Sequence, residues 1–426
     1  MRRNLKFFLF SVLFLLLFAN CGGDEPNNGG QKRQNGYLVY NEFLISVSGN
    51  DATIEQYTGN ETSVTIPSTI QDYVNDEPVT YIVKKIAPRS FKGKDMNSIS
   101  MPSSLTSIGN EAFSDCANLA SVNLPSSLTA IGNEAFCNCT NLASVSMPSS
   151  LQSIGSRAFV NTALKNLIIP SRMTEIGAEA FSNLPLLEVN IQGVSNIGEK
   201  AFAQCRQLSK VTITNEIKNI QPYAFYECAN LMTVSLASTL ESIGDYAFGR
   251  TAIKEVSLPT ANLGKQVFYE TSLQTLHIGN NATQIPNKFM YECIGAYSLS
   301  SLTKLTFSEG IKEIGVEAFH DCTHLQDLDI PNSVITIKDS AFKNIISLKN
   351  IIFGSNLQLI DNNAFNGCSY LETCRFKGLI PPTINGGSTL AYYPVHTVIY
   401  VPQGSLQAYK NALNGHIAYN CTIIGY

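Results

Sequence analysis

The sequence predicts a solenoid of the α/β type: about thirteen coils with a parallel β-sheet and short helical or 3-10 turns, capped at both ends. Three observations lead there. One phrase recurs along the chain, Ile-Gly-x-x-Ala-Phe-x-x-Cys-x-x-Leu-x-x-Val-x-Leu-Pro, complete from Ile108 through Ala112, Phe113, Cys116, Leu119, Val122 and Leu124 to Pro125. Its phenylalanine slot returns at Phe91, Phe113, Phe136, Phe159 and onward to Phe365, mostly about 20–23 residues apart, with Met290 taking one slot. Around Val122 and Leu124, apolar and polar residues alternate as they do in a strand with one buried face. A fixed period of roughly 20–30 residues belongs to units that can bury their apolar face only against their neighbours.

Each element of the unit has its own cause. Leu105–Ile108 reads as a short extended piece, Gly109 as a turn and Asn110–Phe113 as a helical or 3-10 turn. Ser121–Leu124 reads as the strand, with Val122 and Leu124 inward, Ser121 and Asn123 outward. The following Pro125 ends it, since proline has no N–H for the ladder. The glycine column (Gly109, Gly132, Gly155, Gly177, Gly198, Gly244, Gly315) marks either positive φ or close backbone approach. Pro222 and Pro286 stand in that column and cannot reach positive φ, so either those turns differ or close approach is the better reading. Strands ~4.8 Å apart would build a parallel sheet on the order of 60 Å long.

The Ile-Gly-x-x-Ala-Phe element, repeated over residues 86–376, resembles the leucine-rich repeats of the BspA-like family, a class of cell-surface proteins. The resemblance implies a right-handed coil. It also implies an N-terminal cap over residues 37–85, on Val64-Thr65-Ile66-Pro67, and a C-terminal cap over residues 377–426, on Pro381-Pro382 and Val401-Pro402-Gln403-Gly404. Caps are required because a bare terminal coil exposes its apolar face.

Residues 1–20 read as a signal peptide: Arg2, Arg3 and Lys6 precede an apolar run from Phe7 to Phe18, too short for a ~30 Å hydrocarbon core. Phe18-Ala19-Asn20-Cys21 resembles a bacterial lipobox, which implies lipidation at Cys21, although Asn20 and Phe18 depart from the usual residues. Residues 21–36 then form a polar tether, Gly22-Gly23-Asp24-Glu25 at its start, too poor in apolar residues to fold. The acidic pair resembles the surface-export signal of Bacteroides-type lipoproteins, which implies an outer-membrane protein held by its lipid alone and facing outward.

Charged residues make up 15% of the chain and the net charge is −4, which excludes the basic footprint of a nucleic-acid binder. Six of the eleven cysteines (Cys116, Cys139, Cys205, Cys228, Cys322, Cys368) sit three residues after a slot Phe, and Cys293 three after Met290. A column of small buried thiols is one reading; a Cys116–Cys139 or Cys205–Cys228 bridge is the other that coil spacing allows. His320 and His324 flank a turn without a metalloprotease pattern, and no nucleophile elbow or phosphate loop is present. The sequence therefore calls for no enzyme, no metal and no cofactor.

Function is expected on surfaces. The outward strand positions are plain Ser and Asn in the first coils and become charged from Glu188 onward, including His277, Lys304, Asp327 and Asp329. Rows read to Arg375 contain no aromatic residue, which argues against a sugar-stacking platform there. Tyrosine is absent between Tyr81 and Tyr223, after which Tyr223, Tyr226, Tyr246, Tyr269, Tyr291 and Tyr297 follow, several beside the Phe slot and hence along one edge. The unit between Met290 and Phe319 is about six residues longer, around Ile294–Ser300, and such insertions often lie on the binding face. The expected function is a non-catalytic protein-binding scaffold on the cell surface. The family resemblance implies adhesion to host extracellular-matrix or cell-surface proteins; capture of glycans or nutrients is the alternative, and an enzyme with its site in the cap near Tyr392–Tyr409 is a second.

Overall fold

The computed structural model describes residues 33–214, 216–259, 262–279, 282–290, 301–386, 396–417 and 421–426. The signal peptide, Cys21, the insertion at Ile294–Ser300, Tyr291 and Tyr297 lie outside them.

Most coils carry two parallel strands. The longer is the expected one: Ser121–Asn123 pairs in register with Ser98–Ser100 before it and Ser144–Ser146 after it. The shorter is built on the Ile of the phrase, with Ala130–Ile131 pairing Ser107–Ile108 and Ser153–Ile154. This second ladder extends from Glu77–Ile86 to Asn262–Leu263 and resumes from Gln284–Ile285 to Thr383–Ile384. The longer-strand ladder, expected as one sheet, is four. The first break falls at Ile168, where only an isolated bridge to Asn190 remains and the side chain is 82% exposed.

The arc between the strands is not helical. Glu111 (φ 54°) and Asp115 (φ 63°) are left-handed, and coil after coil repeats the pair, as in Glu134/Asn138, Arg157/Asn161 and Glu179/Asn183. The N–H groups of Glu111, Phe113 and Asp115 all donate to the next coil, to the carbonyls of Asn133, Ala135 and Cys137, each at 2.8 Å. A left-handed L-residue costs ~1–2 kcal/mol; three bonds per arc, none available to an α-helix in this direction, hold the geometry. Side chains add a ladder of their own, Asn138 Nδ2 donating to Asp115 Oδ1 (2.9 Å), Asn161 to Asn138 (2.7 Å) and Asn183 to Asn161 (2.7 Å).

The glycine column is a matter of close approach. Gly132 does not have positive φ, and a Cβ there would lie 2.6 Å from Asn110 N and 2.7 Å from Gly109 C. Beneath it the phenylalanines stack continuously, from Phe91 on Phe113 at 4.9 Å to Phe225 on Phe248 at 5.4 Å, the latter pair nearly parallel at 2°. One coil inverts the pattern. Met290 N donates to Ala318 O as a slot Phe does, yet the ring that continues the column belongs to Phe289, in the Ala slot, edge-on to Phe268 and Phe319.

Cys116, Cys139, Cys205 and Cys228 are free thiols, so neither the Cys116–Cys139 nor the Cys205–Cys228 bridge forms. The slot thiols instead bond the coils together. Cys116, Cys139, Cys205, Cys228 and Cys368 each donate S–H to a Phe carbonyl of the preceding coil, at 3.1–3.3 Å. Burial pushes the Cys116 thiol up to about 11 and Cys368 up to about 12, away from the reactive thiolate. Iodoacetamide should therefore leave the column unmodified in the folded protein and label it fully in denaturant, as read by mass spectrometry. Equal labelling in both conditions would contradict a sealed column.

Both ends are closed by continuing the coil. At the N-terminus the antiparallel strands Tyr37–Tyr40, Phe43–Ser48 and Asp51–Tyr57 seat Tyr57 on Phe91 at 5.5 Å. At the C-terminus Val398–Val401 and Thr422–Gly425 add two parallel strands to the outward sheet. The one α-helix among the described residues, Leu406–Leu413, buries Tyr409, whose hydroxyl donates to Gly378 O at 2.9 Å.

Candidate binding faces

The arc edge gathers the four candidate tyrosines that lie within the described residues, Tyr223, Tyr226, Tyr246 and Tyr269, as their slots predict. Tyr223 and Tyr246 stack face to face at 5.0 Å; Tyr226 meets Tyr223 edge-on at 5.4 Å, and Tyr269 meets Tyr246 at 5.5 Å. All four are half-buried, and Tyr223 and Tyr246 are themselves left-handed arc residues. Stacking of successive coils thus converts a 20–23-residue spacing into ring contact.

Arg250 organises this edge, and no sequence pattern marks it. Its guanidinium lies 5.7 Å from the Tyr226 ring centre and 5.9 Å from that of Tyr269. Nε donates to Glu270 at 2.8 Å and Nη1 to Glu227 at 3.1 Å, so one side chain ties together three coils. Gly249 leaves the room: a Cβ there would meet the Tyr226 ring at 3.0 Å. The hydrogen bond with Tyr269, then the neighbouring guanidinium, holds the Glu270 carboxyl below its usual range, while burial raises the Tyr226 phenol. The edge is a rigid, charge-balanced aromatic surface with Lys200 stacked on Tyr223 at its end, 5.6 Å from the ring centre.

The other candidate residues belong to the strand face and form a separate group. His277 is tied into that sheet, Nδ1 to Thr306 Oγ1 at 2.9 Å and Nε2 to Ser308 Oγ at 3.3 Å. Lys304 is exposed; Asp327 accepts from Asn350 Nδ2 at 2.7 Å; Asp329 lies 3.6 Å from Lys377 Nζ. The rows read as free of aromatics do not end at Arg375. Because the cap continues the sheet, Tyr400 stands in register beside Arg375, followed by Ile424. The Val398-Ile399-Tyr400-Val401 run of β-branched and aromatic residues signals a strand, but nothing in it states the register. Among the described residues, no three metal-ligating side chains converge.

A capped parallel coil with an ordered aromatic edge and a polar strand face is a repeat solenoid of the leucine-rich class, generally a non-catalytic binding scaffold. The pattern described as the BspA type leucine rich repeat region matches residues 79–188, 174–297 and 294–386, and the chain belongs to that family. Among solved structures, a leucine-rich repeat protein from Bacteroides ovatus is 26% identical, with 91% of this chain and 99% of that one covered and a TM-score of 0.61. A leucine-rich repeat protein from Eubacterium ventriosum is 20% identical (84% and 96% covered, TM-score 0.42), and the pneumococcal vaccine antigen PcpA 18% identical (92% and 98%, TM-score 0.39). No curated protein matches the chain.

Proposed function

We propose that this chain is a surface lipoprotein, anchored through Cys21 in the outer membrane, that binds protein partners without catalysis and serves adhesion to extracellular-matrix proteins or other cells. The observation that carries the reading is the arc edge: four tyrosines and Arg250 held in fixed mutual contact, the residue types in which binding energy concentrates. The ring packing and the ion pairs order these side chains before a partner arrives, which lowers the entropic cost of binding. The Cys-to-carbonyl bonds and the phenylalanine column lie in the core, so these repeated letters serve the scaffold that carries the edge.

Adhesion of cells producing the full chain, measured on coated matrix proteins and on coated bacterial glycans, tests the proposal. Cells should adhere to matrix protein, and the double variant Tyr226→Ala/Tyr269→Ala should weaken binding of the purified chain by ~10-fold or more. An unchanged affinity in that variant, with its thermal midpoint retained, would remove the edge from the binding site. Retention on glycans alone would favour nutrient capture.

A further inference from the structure

The far end of the strand face holds an arginine that the fold has positioned on aromatic rings, with no acidic side chain paired to it among the described residues. Arg375 is exposed, in register between Ile352 and Tyr400 on one outward row that ends in Ile424. Its guanidinium carbon lies 4.3 Å from the Tyr426 ring centre and 5.6 Å from that of Tyr400. Tyr426 is itself fixed, its hydroxyl donating to Phe376 O at 3.1 Å. Arg89, Arg157, Arg206 and Arg250 are each paired with a glutamate. Among the described residues Arg375 has rings where those have carboxylates, and Asp329, on the same row, is already met by Lys377.

We propose that Arg375, Tyr400 and Tyr426 form an anchor for an Asp or Glu side chain of a protein partner, set among apolar residues. A guanidinium presents a planar fork of donors matched to a carboxylate. Ring stacking holds that fork in place, so little ordering remains to be done on binding. Ile424 and Tyr426 are 42% and 48% exposed and, with Ile352, make an apolar rim that excludes water from the ion pair. The guanidinium occupies the ring faces turned toward it, so the rim offers ring edges and aliphatic surface, suited to the apolar neighbours of an acidic residue. The inference rests on the protein-binding reading and names the chemistry of a second contact, distant in sequence from the tyrosine edge.

A phage-displayed random peptide library, selected on the full chain and separately on Arg375→Ala, tests it. Peptides recovered on the parent should be enriched in Asp or Glu flanked by aliphatic residues, and that enrichment should vanish on the variant. A recovered peptide, fluorescently labelled, should lose ~10-fold in affinity when its acid is made the amide isostere or when Arg375 becomes Ala. Arg375→Lys should lose part of it, since the charge remains without the fork. Arg375 is exposed, so the variants should keep the parent's thermal midpoint, and a loss of binding then reports the anchor. Equal enrichment on both proteins, or equal affinity for acid and amide peptides, would overturn the anchor. Either result leaves the adhesion measurement untouched. Conversely, failed adhesion with acid-selective, Arg375-dependent peptide binding would sink the proposed function and retain the anchor.

Discussion

Replacing Phe136 by alanine is expected to cost about 4 kcal/mol of stability, near the middle of the range for deleting a buried phenyl ring. The ring is fully buried and stacked on both sides, 5.1 Å from Phe113 and 5.3 Å from Phe159. The site cannot collapse to fill the cavity, because the coil separation is set by hydrogen bonds: Phe113 N donates to Ala135 O and Phe136 N to Ala158 O, both at 2.8 Å. Coils contact only their neighbours, so the damage should stay local and divide the array. Urea unfolding followed by circular dichroism should show a lower midpoint and a shallower slope, the signature of lost cooperativity. Hydrogen exchange should accelerate first between Phe113 and Phe159. An unchanged midpoint would mean that the column fills space without carrying stability.

The phrase made the core legible because each of its letters occupies one column. Phe on Phe, Ile on Ile and Cys beneath Phe follow from identical coils stacked at a fixed spacing. What the phrase hid is the geometry that the columns impose. The second left-handed residue of an arc is often Asp or Asn, types that favour that region, but the first is Glu111, Glu134, Arg157, Lys200 or Tyr223, none of which signals positive φ. Their conformation comes from bonds to the next coil, so no local preference announces it. The glycine, the conspicuous turn residue, is required instead by the backbone of its neighbour. The second ladder shows in the sequence only as the extended piece Leu105–Ile108, because two-residue strands such as Ala130–Ile131 are too short to display a period.

The candidate sites divide in the same way. The tyrosines were legible as a group because they share slots beside the Phe. Arg250 was not, since its partners Glu227 and Glu270 lie 23 and 20 residues away on different coils. Tyr400 and Tyr426 sit past the last copy of the phrase, where only strand register places them beside Arg375.

Moving the column ring from position 289 to position 290 tests how far the column tolerates rearrangement. Phe289→Ala alone is expected to cost ~3–5 kcal/mol, since it removes the buried ring that bridges Phe268 and Phe319. Met290→Phe alone should cost ~1–3 kcal/mol, because a second ring enters a space already filled from the Ala slot. The double variant Phe289→Ala/Met290→Phe restores the usual order of small then large. It should recover most of the loss, giving a coupling energy of at least ~2 kcal/mol between the two positions. The backbone permits the move. Met290 N already donates to Ala318 O at 2.7 Å, as Phe319 N does to Ala341 O at 2.8 Å, so the new ring would start from a slot phenylalanine's position. In the present arrangement Phe289 meets its neighbours at 85° and 81°, against 8° between Phe319 and Phe342. A denaturant double-mutant cycle measures the coupling, and strictly additive losses would rule out a shared site. Lys288 N reaches Val316 O at 2.8 Å, so the arc ladder continues across the longest spacing in the array. A coil with an inverted core beside that spacing, one unit beyond Tyr269, can therefore carry extra residues without interrupting the ladder that orders the tyrosine edge.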